Sequence, residues 1–211
     1  RWKIFFRLTW LAVLAGFVSL MFVDMESRNN SKAMGQPHTA VISLDGAIDS
    51  ESNVTAKMLD GLNAAYEDSN TRGIIIRANS PGGSPALSGM ANDEILRLKK
   101  LHPKVPVYMV VEEVCASGCY YIAAAADRIY VDKASIVGSI GVISDGFGFD
   151  KAMDKLGIER RLATAGSNKG MGDPFSPKNP QQEAIRQAML DEIHAQFIAV
   201  VKQGRGKRLK D

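Results

Sequence analysis

Histidine is scarce in these 211 residues: His38, His102 and His194 are the only three. His38 falls in a polar linker, His102 in the turn Lys100-Leu-His-Pro103, and His194 on a late helical pattern. None sits at a strand end or in a glycine-rich turn, so a Ser-His-Asp triad is poorly supported, as is the Gly-x-Ser-x-Gly elbow. Cysteine is scarcer still. Cys115 and Cys119 are the only two, and their i, i+4 spacing matches neither Cys-x-x-Cys nor, without histidine neighbours, a metal site. They read as small buried side chains rather than as a disulfide, and a catalytic thiol would lack its histidine partner. No metal and no cofactor is expected. A charge excess is also missing: 26 Lys and Arg against 23 Asp and Glu leave +3. Much of that lies in Arg1, Lys3, Arg7 and the tail Gly204-Arg-Gly-Lys-Arg-Leu-Lys-Asp211, so no basic stripe for nucleic acid is implied. Internal repeats and low-complexity tracts are absent.

Long apolar runs are missing too, with one exception. Leu8 to Val23 is uncharged for 16 residues, and extends to about 20 through Ile4 to Phe6 if Arg7 snorkels to the interface. Basic residues precede the run and Asp24 and Glu26 follow it, so the positive-inside rule places the N-terminus in the cytoplasm and the rest outside. A cleaved signal peptide is the alternative, but no small-x-small site directly follows the run. The expected organisation is a membrane anchor over 1–25, a polar linker over 26–39 and one domain over 40–211, hung on the extracytoplasmic side of the cytoplasmic membrane by a single pass.

Within that domain, strand-like runs over 39–44, 73–77, 105–111, 128–131, 139–143 and 160–164 alternate with helical patterns over 54–67, 86–100, 117–125, 149–156 and 180–201. Such alternation predicts an α/β fold with a parallel sheet and with sites at the strand C-terminal ends.

Three segments carry candidate chemistry. Cys115-Ala-Ser117-Gly-Cys-Tyr-Tyr-Ile-Ala places a small hydroxyl between a buried strand and an apolar helix. There the first free helical N–H groups, beginning at Gly118, can meet an oxyanion. The plain alternative for Ser117 is a helix N-cap. Asn79-Ser-Pro-Gly-Gly83 follows the run Gly73-Ile-Ile-Ile-Arg, and paired glycines after a strand allow close backbone approach to a ligand or simply make a turn. Lys169 lies in Ala165-Gly-Ser-Asn-Lys-Gly-Met-Gly-Asp-Pro-Phe175, a glycine-rich loop. A lone loop lysine is ordinarily only solvated.

In order and spacing, Val41-Ile-Ser-Leu-Asp-Gly-Ala-Ile, Asn79-Ser-Pro-Gly-Gly, Ala116-Ser-Gly, Tyr120-Tyr-Ile-Ala, Gly138-Ser-Ile-Gly-Val and Lys169 with Pro174-Phe175 resemble the signal peptide peptidase A family (peptidase family S49). These are membrane-anchored serine proteases with a Ser/Lys dyad on a crotonase-like, ClpP-like fold. The resemblance spans residues 40 to 205. It implies Ser117 as nucleophile, Lys169 as general base, the Gly83 and Gly118 N–H groups as oxyanion hole, and Ser139 as the hydroxyl orienting the lysine. It further implies cleavage of short apolar peptides such as spent signal peptides, and a ring-shaped homo-oligomer in which some members supply Ser and Lys from neighbouring protomers. Two departures stand out. The family usually has glycine where this chain has Cys119, and its members continue beyond residue 211, so a closing segment is expected to be missing.

A lysine must be neutral to accept a proton, and burial in an apolar pocket favours that form. Met171, Phe175 and the segment 137–142 are the residues expected to desolvate Lys169. Two rival readings share the fold: a crotonase-like acyl-CoA enzyme, which would leave Ser117 and Lys169 idle, and a catalytically silent membrane scaffold.

Overall fold

The β-branched run Ile74-Ile-Ile76 becomes the middle of a parallel sheet. The structure, a computed structural model, describes residues 35–209; the expected membrane span over 1–25 and most of the linker lie outside the described residues. Strand β1 (His38–Asp45) pairs in parallel with β2 (Thr71–Ser80), and β2 pairs in parallel with β3 (Val107–Ala116). The far edge of β3 carries two short strands in succession. β4 (Arg128–Tyr130) lies beside Tyr108 to Val110, and β5 (Ile136–Gly138) beside Val114 to Ala116.

Parallel neighbours need crossover connections, and helices supply them. Helix α1 (Val54–Glu67) links β1 to β2, α2 (Pro85–Leu101) links β2 to β3, and α3 (Gly118–Ala123) leads from β3 towards β4. Helix α1 buries Met58, Leu62, Ala65 and Tyr66, and α2 buries Ser88, Ala91, Asn92, Ile95 and Leu98, each a single helical stripe. These meet Leu44, Ile74, Ile76, Val107 and Met109, all fully buried. Truncating one of those strand side chains to alanine would cost about 2–5 kcal/mol, because the packed sheet cannot collapse into the gap. Ser84 starts α2 by accepting the Leu87 N–H at 3.3 Å, with Pro85 in the first turn, where its missing N–H costs nothing.

Beyond β5 the chain changes character. Helix α4 (Asp150–Leu156) buries no residue, and the 26-residue α5 (Pro180–Arg205) buries only Phe197 and Val201, against Ala124 and Tyr121. The strand expected over 139–143 is displaced to Ile136–Gly138, and 160–164 forms no strand. The reason is the same in both places. Pairing on the open edge of β3 is used up by β4 and β5, and an exposed segment without a ladder partner has no reason to be a strand.

Candidate active site

Strand β3 ends at Ala116 and α3 begins at Gly118, so Ser117 alone makes the turn. It does so at φ 51° and ψ −122°, a conformation that residues with a Cβ rarely adopt. Its N–H donates to the Gly138 carbonyl at 2.8 Å and its carbonyl accepts from Tyr121 N–H at 3.0 Å, while its side chain makes no cap hydrogen bond. The N-cap alternative is therefore not what the hydroxyl does here.

The Asn79–Gly83 turn packs directly on this turn. A Cβ on Gly82 (φ +95°) would lie 2.7 Å from both the Ser117 Cβ and the Gly118 nitrogen, so only glycine allows the approach. Gly83 forms a parallel bridge with Ile48, but its flanks make the bonds: Ile48 N–H donates to Gly82 O at 2.9 Å and Ser84 N–H to Ile48 O at 2.7 Å. The Gly83 N–H is thereby left over. The Gly118 N–H, first in its helix, has no intrahelical acceptor either. A Cβ built on Gly118 would sit 3.2 Å from the Gly83 nitrogen, so the two groups are near neighbours. Ser117, Gly83 and Gly118 line one cleft of about 20 Å³, walled by Tyr121, Val142 and Phe197. That is room for one water-sized group, the bulk of a carbonyl oxygen.

Ser139 follows Gly138, the residue whose carbonyl holds Ser117, and is itself at φ 53°. Lys169 lies elsewhere. It is exposed, outside the residues lining the cleft, in a loop hung on Asp173. Asp173 accepts from Ser176 Oγ at 2.6 Å and from Arg160 Nε at 3.3 Å, and Arg160 lies over the Phe175 ring. The Ser176 hydroxyl first, and the Arg160 guanidinium after it, hold the Asp173 carboxyl below its ordinary range. Gln182 at the start of α5 donates to Ser167 O at 3.1 Å, tying the loop to that helix. Within this single chain, then, the shell expected to desolvate Lys169 is open: Phe175 is 42% and Val137 40% exposed. Among the described residues, no cluster of three His, Cys, Asp or Glu side chains could hold a metal.

Comparison with known proteins bears on the family of the chain. The family profile described as peptidase family S49 matches residues 99–211, more than half of the chain. The chain belongs to peptidase family S49. Protease 4 of Haemophilus influenzae is 29% identical over 162 residues, 77% of this chain and 26% of that protein. The chloroplastic serine protease SPPA of Arabidopsis thaliana is 28% identical over 145 residues, 68% of this chain and 21% of that protein. A Brucella melitensis protein named Na(+)/H(+) antiporter NhaA is 45% identical over 150 residues, 71% of this chain but 20% of its own length. This chain thus spans only a fifth to a quarter of the length of these three relatives. Among solved structures, ClpP1 from Listeria monocytogenes matches with a TM-score of 0.37 and 24% identity, over 46% of this chain and 51% of that one.

Several parts of this candidate site escape a reading of the sequence. Ser88 Oγ, bonded to Ser84 O at 2.8 Å, lies against Gly118, and Asn92 Nδ2 donates to Tyr121 O at 2.8 Å. Both are buried polar residues on the apolar stripe of α2, and that misplacement was their only signal. His194 Nε2 lies 3.1 Å from Ile140 O, pinning the loop after Ser139 to α5. The cysteines correct an expectation outright: Cys115 and Cys119 are joined as a disulfide, with Cα atoms 5.0 Å apart. An extended strand would separate i and i+4 by about 13 Å. The reversal at Ser117 brings them together.

Proposed function

We propose that this chain is the core of a serine endopeptidase in which Ser117 is the nucleophile, Lys169 the general base, and the Gly83 and Gly118 N–H groups the oxyanion hole. Its substrates are short apolar peptides, spent signal peptides among them, cleaved outside the cytoplasmic membrane by a domain anchored through residues 1–25. The observation that carries the reading is the cleft where a serine on a strained strand-to-helix turn meets two backbone N–H groups without acceptors. Ser117 Oγ attacks the scissile carbonyl and passes its proton to the neutral Lys169 amine. The oxyanion accepts from the two N–H groups, and the leaving amine takes the proton back as the C–N bond breaks. Water, deprotonated by the same amine, then attacks the acyl carbon; the C–Oγ bond breaks, and the ammonium returns its proton to Ser117 Oγ.

Lys169 reaches that chemistry from a neighbouring copy in a ring-shaped homo-oligomer, where the contact also desolvates the amine and Ser139 orients it. Its exposure here, and the apolar surface around it, support this arrangement. The fold is of the crotonase and ClpP kind.

Exposure of Lys169 also favours a second reading, a catalytically silent scaffold. A fluorophosphonate probe and a fluorogenic apolar peptide separate the two. The expected result is covalent labelling at Ser117 and a loss of turnover in Ser117→Ala of about 10⁴-fold or more. Turnover retained by a folded Ser117→Ala protein overturns the peptidase reading.

A further inference from the structure

A non-glycine residue at φ 51° and ψ −122° persists only where its surroundings over-determine it. Ser117 has three such ties. Two are hydrogen bonds, to Gly138 O and from Tyr121 N–H. The third is covalent and spans the turn symmetrically: Cys115, two residues before Ser117, is bonded to Cys119, two residues after it. Both half-cystines are fully buried, so the bridge is anchored in the main core rather than at the surface. Its closed loop holds Ala116, Ser117 and Gly118, that is, the nucleophile together with one oxyanion N–H. A loop this short removes little freedom from the unfolded chain compared with a long one. The constraint acts locally, on the turn.

We propose that Cys115 and Cys119 are positioning residues for the peptidase reaction: their disulfide holds Ser117 Oγ and the Gly118 N–H in register with the Gly83 N–H. Neither cysteine touches substrate. The inference rests on the serine endopeptidase reading above. A displacement of about 1 Å at a reacting group can cost 100-fold in rate, so loss of the bridge falls on kcat. Val142, Ile193 and Phe197, which line the same cleft, belong to other elements, so KM is expected to change little.

The test compares one preparation of the intact protein oxidised, reduced and reoxidised, beside the double variant Cys115→Ala/Cys119→Ala. Dithiothreitol supplies two electrons and two protons: the Cys115–Cys119 bond breaks, two thiols form, and the reagent closes to its own cyclic disulfide. Alkylation and intact mass count the thiols in each state. The expected result is a fall in kcat and in fluorophosphonate labelling rate of tenfold or more on reduction, with KM within about twofold. Faster amide exchange over 116–121 accompanies it, protection in β1 and β2 is unchanged, and reoxidation restores the rates. Reversal in a single preparation guards against a double variant that merely misfolds. A protein shown to carry two free thiols that keeps its kcat and labelling rate overturns the proposal, as does one that never contains the disulfide. If instead the oxidised protein neither cleaves peptide nor labels at Ser117, the peptidase reading itself has failed and takes the positioning role with it. Loss confined to the reduced state is the signature of the positioning role alone.

Discussion

Gly83 has no room for change. At φ +150°, a Cβ there would lie 2.1 Å from the Ile48 carbonyl oxygen, so Gly83→Ala must push the strand-end turn outwards and carry the N–H with it. We expect a loss of stability of about 1–3 kcal/mol and a fall in kcat of roughly 100-fold, read from urea melts and peptide kinetics. For Lys169 the deciding comparison is charge against proton acceptance. Lys169→Arg keeps the charge, cannot accept the serine proton, and should be as inactive as Lys169→Ala. Near-normal activity in Lys169→Arg ends the dyad assignment. Tyr66 offers a residue-scale test of the core. Its hydroxyl is buried without a partner, and its pKa is pushed up to about 12, first by desolvation and then by the charge of Asp127. The folded value is raised above the unfolded one near 10. The stability tied to the neutral phenol is therefore complete below about pH 10 and lost as pH climbs towards 12. Tyr66→Phe should be neutral or slightly stabilising at pH 7 and should lose less stability than the parent between pH 9 and about 11.5, as urea midpoints at each pH will show.

Helix α5 packs its buried side chains on the body of the chain only through its C-terminal part. Phe197, Val201 and Ala124 make a small cluster apart from the main core, and Gly204 lies so close to the Ala124 carbonyl that a Cβ would meet it at 2.1 Å. Phe197 also walls the Ser117 cleft. Phe197→Ala should therefore undock α5 locally, raising KM about tenfold, while amide exchange in β1, β2 and β3 stays slow. Fast exchange throughout would show that the two clusters unfold as one. The helix over 180–201 was legible from its apolar spacing, as were α1 and α2. The absent strand over 160–164 was not, because strand formation depends on a partner edge that no local pattern reveals.

At the scale of the whole chain, a packed sheet-and-helix body gives way after β5 to a segment rich in uncovered apolar residues. Ile143 is 83%, Phe147 82% and Leu156 73% exposed. Large apolar side chains uncovered together in one segment fit a partner surface, and in the proposed ring a second copy covers them. Phe147→Asp should lower the molar mass seen by light scattering to that of a single chain and abolish turnover, with the sheet still folded. An unchanged mass would place the interface elsewhere.

The sequence alone determined what contiguous residues determine: the alternation that makes a parallel α/β sheet, the glycine pair that permits a close turn at Gly82 and Gly83, and the serine at the end of β3. Each is a matter of local backbone preference or of burial pattern along one element. Tertiary structure decided everything that depends on two segments meeting. The Gly83 and Gly118 N–H groups share a cleft only because the Asn79–Gly83 turn packs on the end of β3. Cys115 and Cys119 are bonded only because the chain reverses at Ser117, a positive-φ turn that the i, i+4 spacing does not encode. Lys169 stands in the open because most of residues 143–176 are exposed, and no stretch of sequence says which surface will cover a loop.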